Sequence, residues 1–99
     1  MRVIGATIPP FENALQGTPL EGHYSPQKDA VRQAVNAWIL KAGVFDAVVD
    51  FDRLLRDPAR PARLHPAFDS GDHLHPNDAG YEAMARAIDI RELAASRLD

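Results

Sequence analysis

An aspartate and a histidine stand three residues apart in the segment Asp69–Tyr81, which reads DSGDHLHPNDAGY. Histidine has an unperturbed pKa of about 6.5, so its imidazole can take a proton from a hydroxyl near neutral pH and return it to a leaving group. A carboxylate on the other ring nitrogen holds the imidazole in one tautomer. Asp72 and His75 therefore have the types and spacing of an orienting acid and a general base for ester hydrolysis. Pro76 would stiffen the chain after the base.

The same segment admits two other interpretations. An Asp-x-x-His pair ahead of a helix is most often a helix cap with a surface histidine. A metal site is the second, because His-x-His spacing with nearby carboxylates occurs in zinc and iron sites. Its candidate ligands are His65, His73, His75, Asp69, Asp72 and Asp78. The chain has no cysteine, which excludes a thiolate nucleophile and a Cys-ligated zinc site.

Length and composition limit the classes of protein and of partner that remain. Ninety-nine residues, 45% hydrophobic and 25% charged, allow one ordinary globular domain at most. A net charge of −3 argues against nucleic acid or an anionic membrane as the main partner. No apolar run approaches the ~20 residues that span a bilayer, and the N-terminus lacks a signal-peptide stretch. The compartment stays open, with the cytoplasm as the default and secretion as the alternative.

Two apolar segments predict buried parallel strands that would position this pair. Residues 3–8 are almost continuously apolar and β-branched, and residues 46–51 are similar. Continuous apolarity is typical of strands covered on both faces of a parallel sheet. A helix over about 26–42 lies between them, so we expect a right-handed βαβ unit.

The apolar residues of the first helix recur at three- and four-residue spacing and predict one core-facing stripe, with Lys28, Arg32 and Gln33 off it. Trp38 is expected to pack in the core. The stripe comprises Val31, Ala34, Val35, Trp38, Ile39 and Ala42. Ser25 caps this helix and Gly43 ends it.

A last helix is predicted over about 78–96, capped by Asn77 or Asp78, with a restart or kink at Asp89. Its core-facing residues are Tyr81, Met84, Ala85 and Ile88.

The segment from residue 57 to 76 holds four prolines and three histidines and predicts a long irregular loop, which usually carries function. Arg56, Arg60 and Arg63 are expected to be solvated. Asp50 and Asp52, at the end of the second strand, are expected to form turns and cap a helix. A role at the rim of a cleft is their alternative, because ligands gather at the carboxyl ends of strands.

The segment Gly71–Tyr81 resembles the last conserved block of the SGNH hydrolases, the GDSL esterase and lipase family. In that family the block supplies the acid and base of the catalytic triad, which implies these roles for Asp72 and His75. Residues 3–10 look like a late core strand of that fold, 31–39 like its following helix and 45–52 like its last strand. The resemblance implies a fragment of a flavodoxin-like, three-layer α/β/α fold, with no cofactor and no metal.

The sequence departs from the family pattern because it lacks the blocks that supply the nucleophile and the oxyanion hole. The family nucleophile lies in an N-terminal Gly-Asp-Ser block, and a glycine and an asparagine from two further blocks complete the oxyanion hole. These blocks are absent from residues 1–99. Ser25 is explained as a cap, Ser96 lies in the last helix, and Ser70 is too close along the chain to be a normal partner of His75. We therefore expect the C-terminal portion of a hydrolase domain.

Two functions remain as alternatives at this point. The chain is either the Asp–His half of a serine ester hydrolase, inactive alone, or a non-catalytic or self-assembling module derived from one. Strands patterned for burial on two faces do not tolerate unpaired edges in water. We therefore expect partner strands from a missing N-terminal half or from a second copy of the chain, and an ester substrate in the full-length protein.

Overall fold

The chain forms a mixed α/β structure, as the sequence predicts. The computed structural model describes residues 2–89 and 91. Its elements are β1 (Ile4–Ala6), α1 (Pro26–Lys41), β2 (Ala47–Val49), α2 (Phe51–Leu55), β3 (Arg56–Asp57), β4 (Arg60–Leu64) and α3 (Asp78–Ala87), with 3-10 turns at Glu21–His23 and Pro66–Phe68. None of the helices in this described part is long and apolar enough to cross a membrane.

Strands β1 and β2 pair in parallel, with Ile4 opposite Ala47. Both are shorter than the predicted 3–8 and 46–51, because side chains take over the backbone groups where β1 ends. The Asn36 side chain accepts a hydrogen bond from Ile8 N at 2.7 Å and donates one to Ile8 O at 2.9 Å. Gly5 is needed for the pairing, since a Cβ there would meet the ring of Phe45 at 2.7 Å.

Helix α1 confirms the predicted bounds of 26–42 to within one residue. The Ser25 hydroxyl accepts a hydrogen bond from Lys28 N at 3.1 Å, and Pro26 occupies the first turn. These are the two devices that typically start a helix. Gly43 follows the helix with φ of +69°, a left-handed conformation that favours glycine.

The prediction of which face of α1 is buried is wrong. Its buried residues are Asp29, Arg32, Asn36 and Ile39, whereas Ala34 and Val35 are exposed and the exposed fractions of Val31 and Trp38 are 63% and 56%. Of the predicted stripe, only Ile39 is buried. Polar side chains face inward because the ends of the strands present unpaired backbone groups, and unpaired buried polar groups are costly. Arg32, expected off the core, donates to Ile8 O at 3.0 Å.

The segment 57–76 is more regular than predicted. Strand β4 pairs antiparallel with β3, and Leu64 packs beside Leu55 in the small core. Two prolines fit this hairpin, because Pro58 lies in its turn and Pro61 on an edge strand needs no donor. The expectation of solvated arginines is corrected in part. Arg60 and Arg63 pair with Glu12, and Arg56 pairs with Asp52.

Helix α3 begins at Asp78, as predicted, and ends at Ala87, with an extended backbone at Ile88. The predicted break near Asp89 is therefore present, and the part of the predicted helix beyond residue 91 is not among the described residues. Residues 90 and 92–99 lie outside the described part, Ser96 among them. The predicted core-facing stripe is also wrong in part, since Tyr81 is 51% exposed and Gly80 is the buried residue.

Few apolar side chains are buried in the part of the chain that the structure describes. Its core contains Ala14, Ile39, Leu55 and Leu64. Exposed large apolar side chains, by contrast, lie beside β1, on β2, on α1 and on α3: Val3, Ile8, Val31, Val35, Trp38, Leu40, Val48 and Tyr81. Among the described residues, large apolar side chains are therefore more often exposed than buried.

Candidate Asp–His active site

The loop between the turn at Pro66–Phe68 and α3, residues 69–77, is closed at its base by backbone contacts. Asp69 and Pro76 form an isolated antiparallel bridge, and Ser70 N donates to His75 O at 3.1 Å. Asn77 joins the loop to α3, because its Oδ1 accepts from Gly80 N at 2.8 Å and its Nδ2 donates to Ala67 O at 3.0 Å. The loop is thereby anchored to the first turn of a helix.

Asp72 and His75, predicted as acid and base, are in direct contact within this loop. The Nδ1–H of His75 donates to Asp72 Oδ2 at 2.6 Å. The other oxygen, Oδ1, accepts from Leu74 N at 2.9 Å and His75 N at 2.8 Å, and from the Ser70 hydroxyl at 3.1 Å. Four hydrogen bonds therefore surround one carboxylate.

These bonds hold Asp72 in its ionised form. Its pKa lies well below the ordinary value for an aspartate, first because of the bond from the His75 ring and then because of the backbone N–H of His75. Bonds from Leu74 N and the Ser70 hydroxyl add to this lowering, whereas burial opposes it. A charged acceptor on Nδ1 fixes the ring proton there in the neutral imidazole.

That tautomer leaves Nε2 of His75 as the proton acceptor. The His75 side chain is 61% exposed, so this nitrogen is accessible to a reacting group. The arrangement has the geometry of an oriented general base, with the acid on one ring nitrogen and the lone pair on the other. Its catalytic role stays a prediction.

Neither described serine is a partner of the His75 ring. The Ser70 hydroxyl bonds to the carboxylate of Asp72, on the acid side of the pair, and the Ser25 hydroxyl caps α1. The hydroxyl that a triad requires is therefore not provided by either of them.

A second Asp–His pair lies in the same loop, and sequence reasoning missed it. The Nδ1 of His73 is 2.6 Å from Asp69 Oδ2, and Asp69 Oδ1 accepts from Gly71 N at 2.8 Å and His73 N at 3.0 Å. The sequence predicts both residues as candidate metal ligands and does not predict that they pair with each other. Their spacing, four residues against three for Asp72 and His75, was the available signal.

Two residues that touch Asp72 are in left-handed backbone conformations. His73 has φ of +62° and Leu15 has φ of +60°. Such a conformation costs a non-glycine residue about 1–2 kcal/mol, and strain of this kind gathers at functional sites. Leu15 N donates to Asp72 O at 2.8 Å, which joins the loop 69–77 to the segment after β1.

The metal interpretation finds no ligand set in the described residues. Within 2–89 and 91, no three of the histidines, aspartates and glutamates gather at one point. His73 and His75 each bind their own carboxylate, and His65 Nδ1 accepts from Ala67 N at 3.0 Å.

Asp50 caps α2, as expected, whereas Asp52 lies in the first turn of α2 and pairs with arginines instead of forming a cap. Asp50 accepts from Arg53 N at 3.1 Å at the start of α2 and from the Thr7 hydroxyl at 2.8 Å. Asp52 accepts from Arg32 Nη1 at 2.7 Å. Burial lowers the pKa of Arg32, but bonds to Asp29 and Asp52 outweigh it and keep the guanidinium charged.

A small apolar cavity adjoins the loop on the side of β1. It has a volume of about 230 Å³ and is lined by Ile8, Pro9, Pro10, Phe11, His23 and Leu74. Leu74 lies between Asp72 and His75 in sequence, so one wall of the cavity belongs to the loop that carries the pair.

The structure combines a mixed α/β fold with a hydrogen-bonded Asp–His pair in the loop that precedes α3. A comparison with protein families then identifies the group. The GDSL-like lipase/acylhydrolase model matches residues 1–88, so the chain belongs to that family. No curated protein matches the chain.

Proposed function

We propose that this chain supplies the acid and base of a serine ester hydrolase of the GDSL type. His75 is the general base and then the general acid, and Asp72 orients it. The observation that carries the proposal is the 2.6 Å bond from His75 Nδ1–H to Asp72 Oδ2, which leaves Nε2 accessible. Membership of a hydrolase family supports it.

The reaction proceeds through an acyl-enzyme. A serine hydroxyl attacks the ester carbonyl while His75 Nε2 takes its proton, and the resulting imidazolium returns that proton to the leaving alcohol. Water then attacks the acyl-serine, loses a proton to Nε2, and the serine hydroxyl is regenerated as the acid leaves. Asp72 stays ionised throughout and stabilises the imidazolium.

The nucleophile and the oxyanion donors come from another polypeptide segment in this proposal. The sequence has no Gly-Asp-Ser block, and Ser70 is engaged with Asp72. Residues 1–99 are then the C-terminal portion of a hydrolase domain, inactive alone. The missing N-terminal half, or a second copy of the chain, covers the exposed apolar side chains of the strands and α1.

The apolar cavity beside Leu74 is the place for the uncharged part of the ester. Its volume of about 230 Å³ suits a short acyl or alkyl group, and its lining offers apolar contacts.

A reconstitution assay tests the proposal. The chain is mixed with a GDSL-hydrolase N-terminal segment that carries the Gly-Asp-Ser block, and hydrolysis of p-nitrophenyl acetate is measured. We expect the chain alone to hydrolyse no faster than free imidazole, and the mixture to turn over the ester until His75→Ala is introduced. His65→Ala, a histidine outside both the loop 69–77 and the lining of the apolar cavity, is the matched control.

Two other outcomes of the reconstitution assay would contradict this proposal. Turnover by the chain alone that His75→Ala abolishes would show that a nucleophile lies within residues 1–99. Binding of the two segments without turnover would favour the second candidate, a non-catalytic assembly module. The exposed apolar side chains on α1 are the observation that supports that candidate.

A further inference from the structure

The second Asp–His pair, Asp69 and His73, binds the backbone on either side of Asp72. Asp69 lies where the loop begins and forms the backbone bridge to Pro76 near the loop's end. Its side chain is only 10% exposed. Its carboxylate binds Gly71 N, His73 N and the His73 ring. Gly71 and His73 are the two chain neighbours of Asp72. Asp69 therefore holds the backbone on both sides of the residue proposed as the acid.

The backbone at His73 requires such a restraint. With φ of +62°, His73 is in a conformation that histidine rarely adopts, and Gly71 before it has φ of +108°. A turn of this shape persists only when surrounding contacts determine it. The two hydrogen bonds of His73 to Asp69 are contacts of this kind, and the bond from Leu15 N to Asp72 O is a third.

The two carboxylates act on successive parts of the loop. Asp69 binds residues 71 and 73, and Asp72 binds residues 74 and 75. The Oδ1 of Asp72 can receive Leu74 N and His75 N together only if the preceding turn keeps its shape. The orientation of His75 thus depends on Asp69 through Asp72.

We propose that Asp69 and His73 are positioning residues, a second Asp–His pair that holds the turn carrying Asp72 and thereby fixes the orientation of His75. This inference rests on the proposed function, because it matters for catalysis only if His75 is the base. The pair does not touch the reacting atoms. Its own effect is on the hydrogen bond between Asp72 and His75, which can be measured without any substrate.

The experiment follows the His75 Nδ1–H proton by NMR in the full-length, isotope-labelled chain. We expect a downfield signal from the bond to Asp72, and a rate of exchange with water that rises roughly tenfold or more in Asp69→Ala. The Asp72 carboxyl, followed in the same samples, should titrate nearer the ordinary pKa of aspartate. Asp69→Asn should fall between, because its amide oxygen still accepts from Gly71 N and His73 N.

A second variant separates positioning from folding. His73→Gly suits the left-handed backbone and removes only the ring, so it should raise the exchange rate while the amide signals of β1, α1 and α3 stay in place. Asp57→Ala, which removes a carboxylate that binds Ala59 N in the hairpin turn, is the matched control and should leave the His75 signal unchanged. An unchanged His75 signal in both Asp69→Ala and His73→Gly would overturn the proposal. Failure of the ester assay alone would count against the proposed function and leave this measurement valid.

Discussion

The loop 69–77 and helix α1 satisfy their polar groups over very different distances along the chain. In the loop, the carboxylates of Asp69 and Asp72 bind partners within four residues. In α1, Arg32 reaches Asp52 and Asn36 reaches Ile8, which are 20 and 28 residues away. The loop can therefore keep its site geometry as a nearly local structure, whereas α1 depends on its surroundings for its direction. Four predictions test this difference between the loop and α1, beginning with the largest expected effect.

The largest effect is expected at the local pair. Asp72→Asn in the reconstituted hydrolase should lower kcat by about 10⁴-fold, because the amide no longer holds the proton of His75 on Nδ1. The measurement is ester hydrolysis at neutral pH, with unfolding by urea to show that the fold persists. A decrease below tenfold would mean that the pair does not act as acid and base.

A long-range contact of α1 should have the largest effect on stability. Arg32 is 5% exposed and bridges Asp29 and Asp52 at 2.9 and 2.7 Å. Arg32→Ala removes the nearer cation from the buried Asp29 and the half-buried Asp52, which keeps only Arg56 at 3.5 Å, and should lower the free energy of unfolding by about 3–5 kcal/mol.

The matched control is Arg86→Ala, which removes an exposed ion pair with Glu82 on α3 and should cost less than about 0.5 kcal/mol. Urea unfolding of both variants makes the comparison. Equal losses would show that the inner face of α1 is not held by its polar contacts.

The loop should also respond to pH in a defined direction. Because the pKa of Asp72 is lower in the folded chain than in the unfolded chain, the ionised pair stabilises the loop above the ordinary aspartate pKa of about 4. That contribution is lost as the pH falls through the folded-state pKa. Carboxyl NMR of Asp72 measures the midpoint, and His75→Ala should raise it, since the bond from that ring is the main cause. A midpoint unaffected by His75→Ala would contradict this.

The smallest effect is expected on the outer face of α1. Trp38→Ser removes a side chain that is 56% exposed and whose ring contacts Phe45, and it should lower the stability of the isolated chain by less than about 1.5 kcal/mol. Its neighbour Ile39 is buried, and Ile39→Ala should cost about 2–5 kcal/mol. Chemical unfolding tests the pair of variants. A loss at Trp38 as large as at Ile39 would mean that the predicted apolar stripe packs inward.

Elements defined by neighbouring residues were predictable from the sequence. Ser25 and Pro26 start α1 where predicted, and Asn77 caps α3, because capping involves atoms three residues apart. The contact between Asp72 and His75 was predictable for the same reason, because the two residues are three positions apart. The second pair, Asp69 and His73, was within reach of the same reasoning but was considered only as part of a metal site.

Features that depend on distant residues were not predictable in the same way. The apolar spacing on α1 correctly indicated an amphipathic helix, yet Trp38 faces outward and Arg32 inward. The hairpin of β3 and β4 was also missed, because prolines at 58 and 61 favour an irregular loop. Only its pairing shows that one lies in the turn and the other on an edge.

The sequence by itself determined the helix starts and the contact between Asp72 and His75, since each of these follows from residue types a few positions apart. The tertiary structure decided which face of α1 is buried and which backbone strain surrounds Asp72. The physical reason is that burial depends on what lies opposite a side chain. The ends of β1 and β2 present backbone groups that Arg32 and Asn36 satisfy, and the apolar stripe is left facing outward.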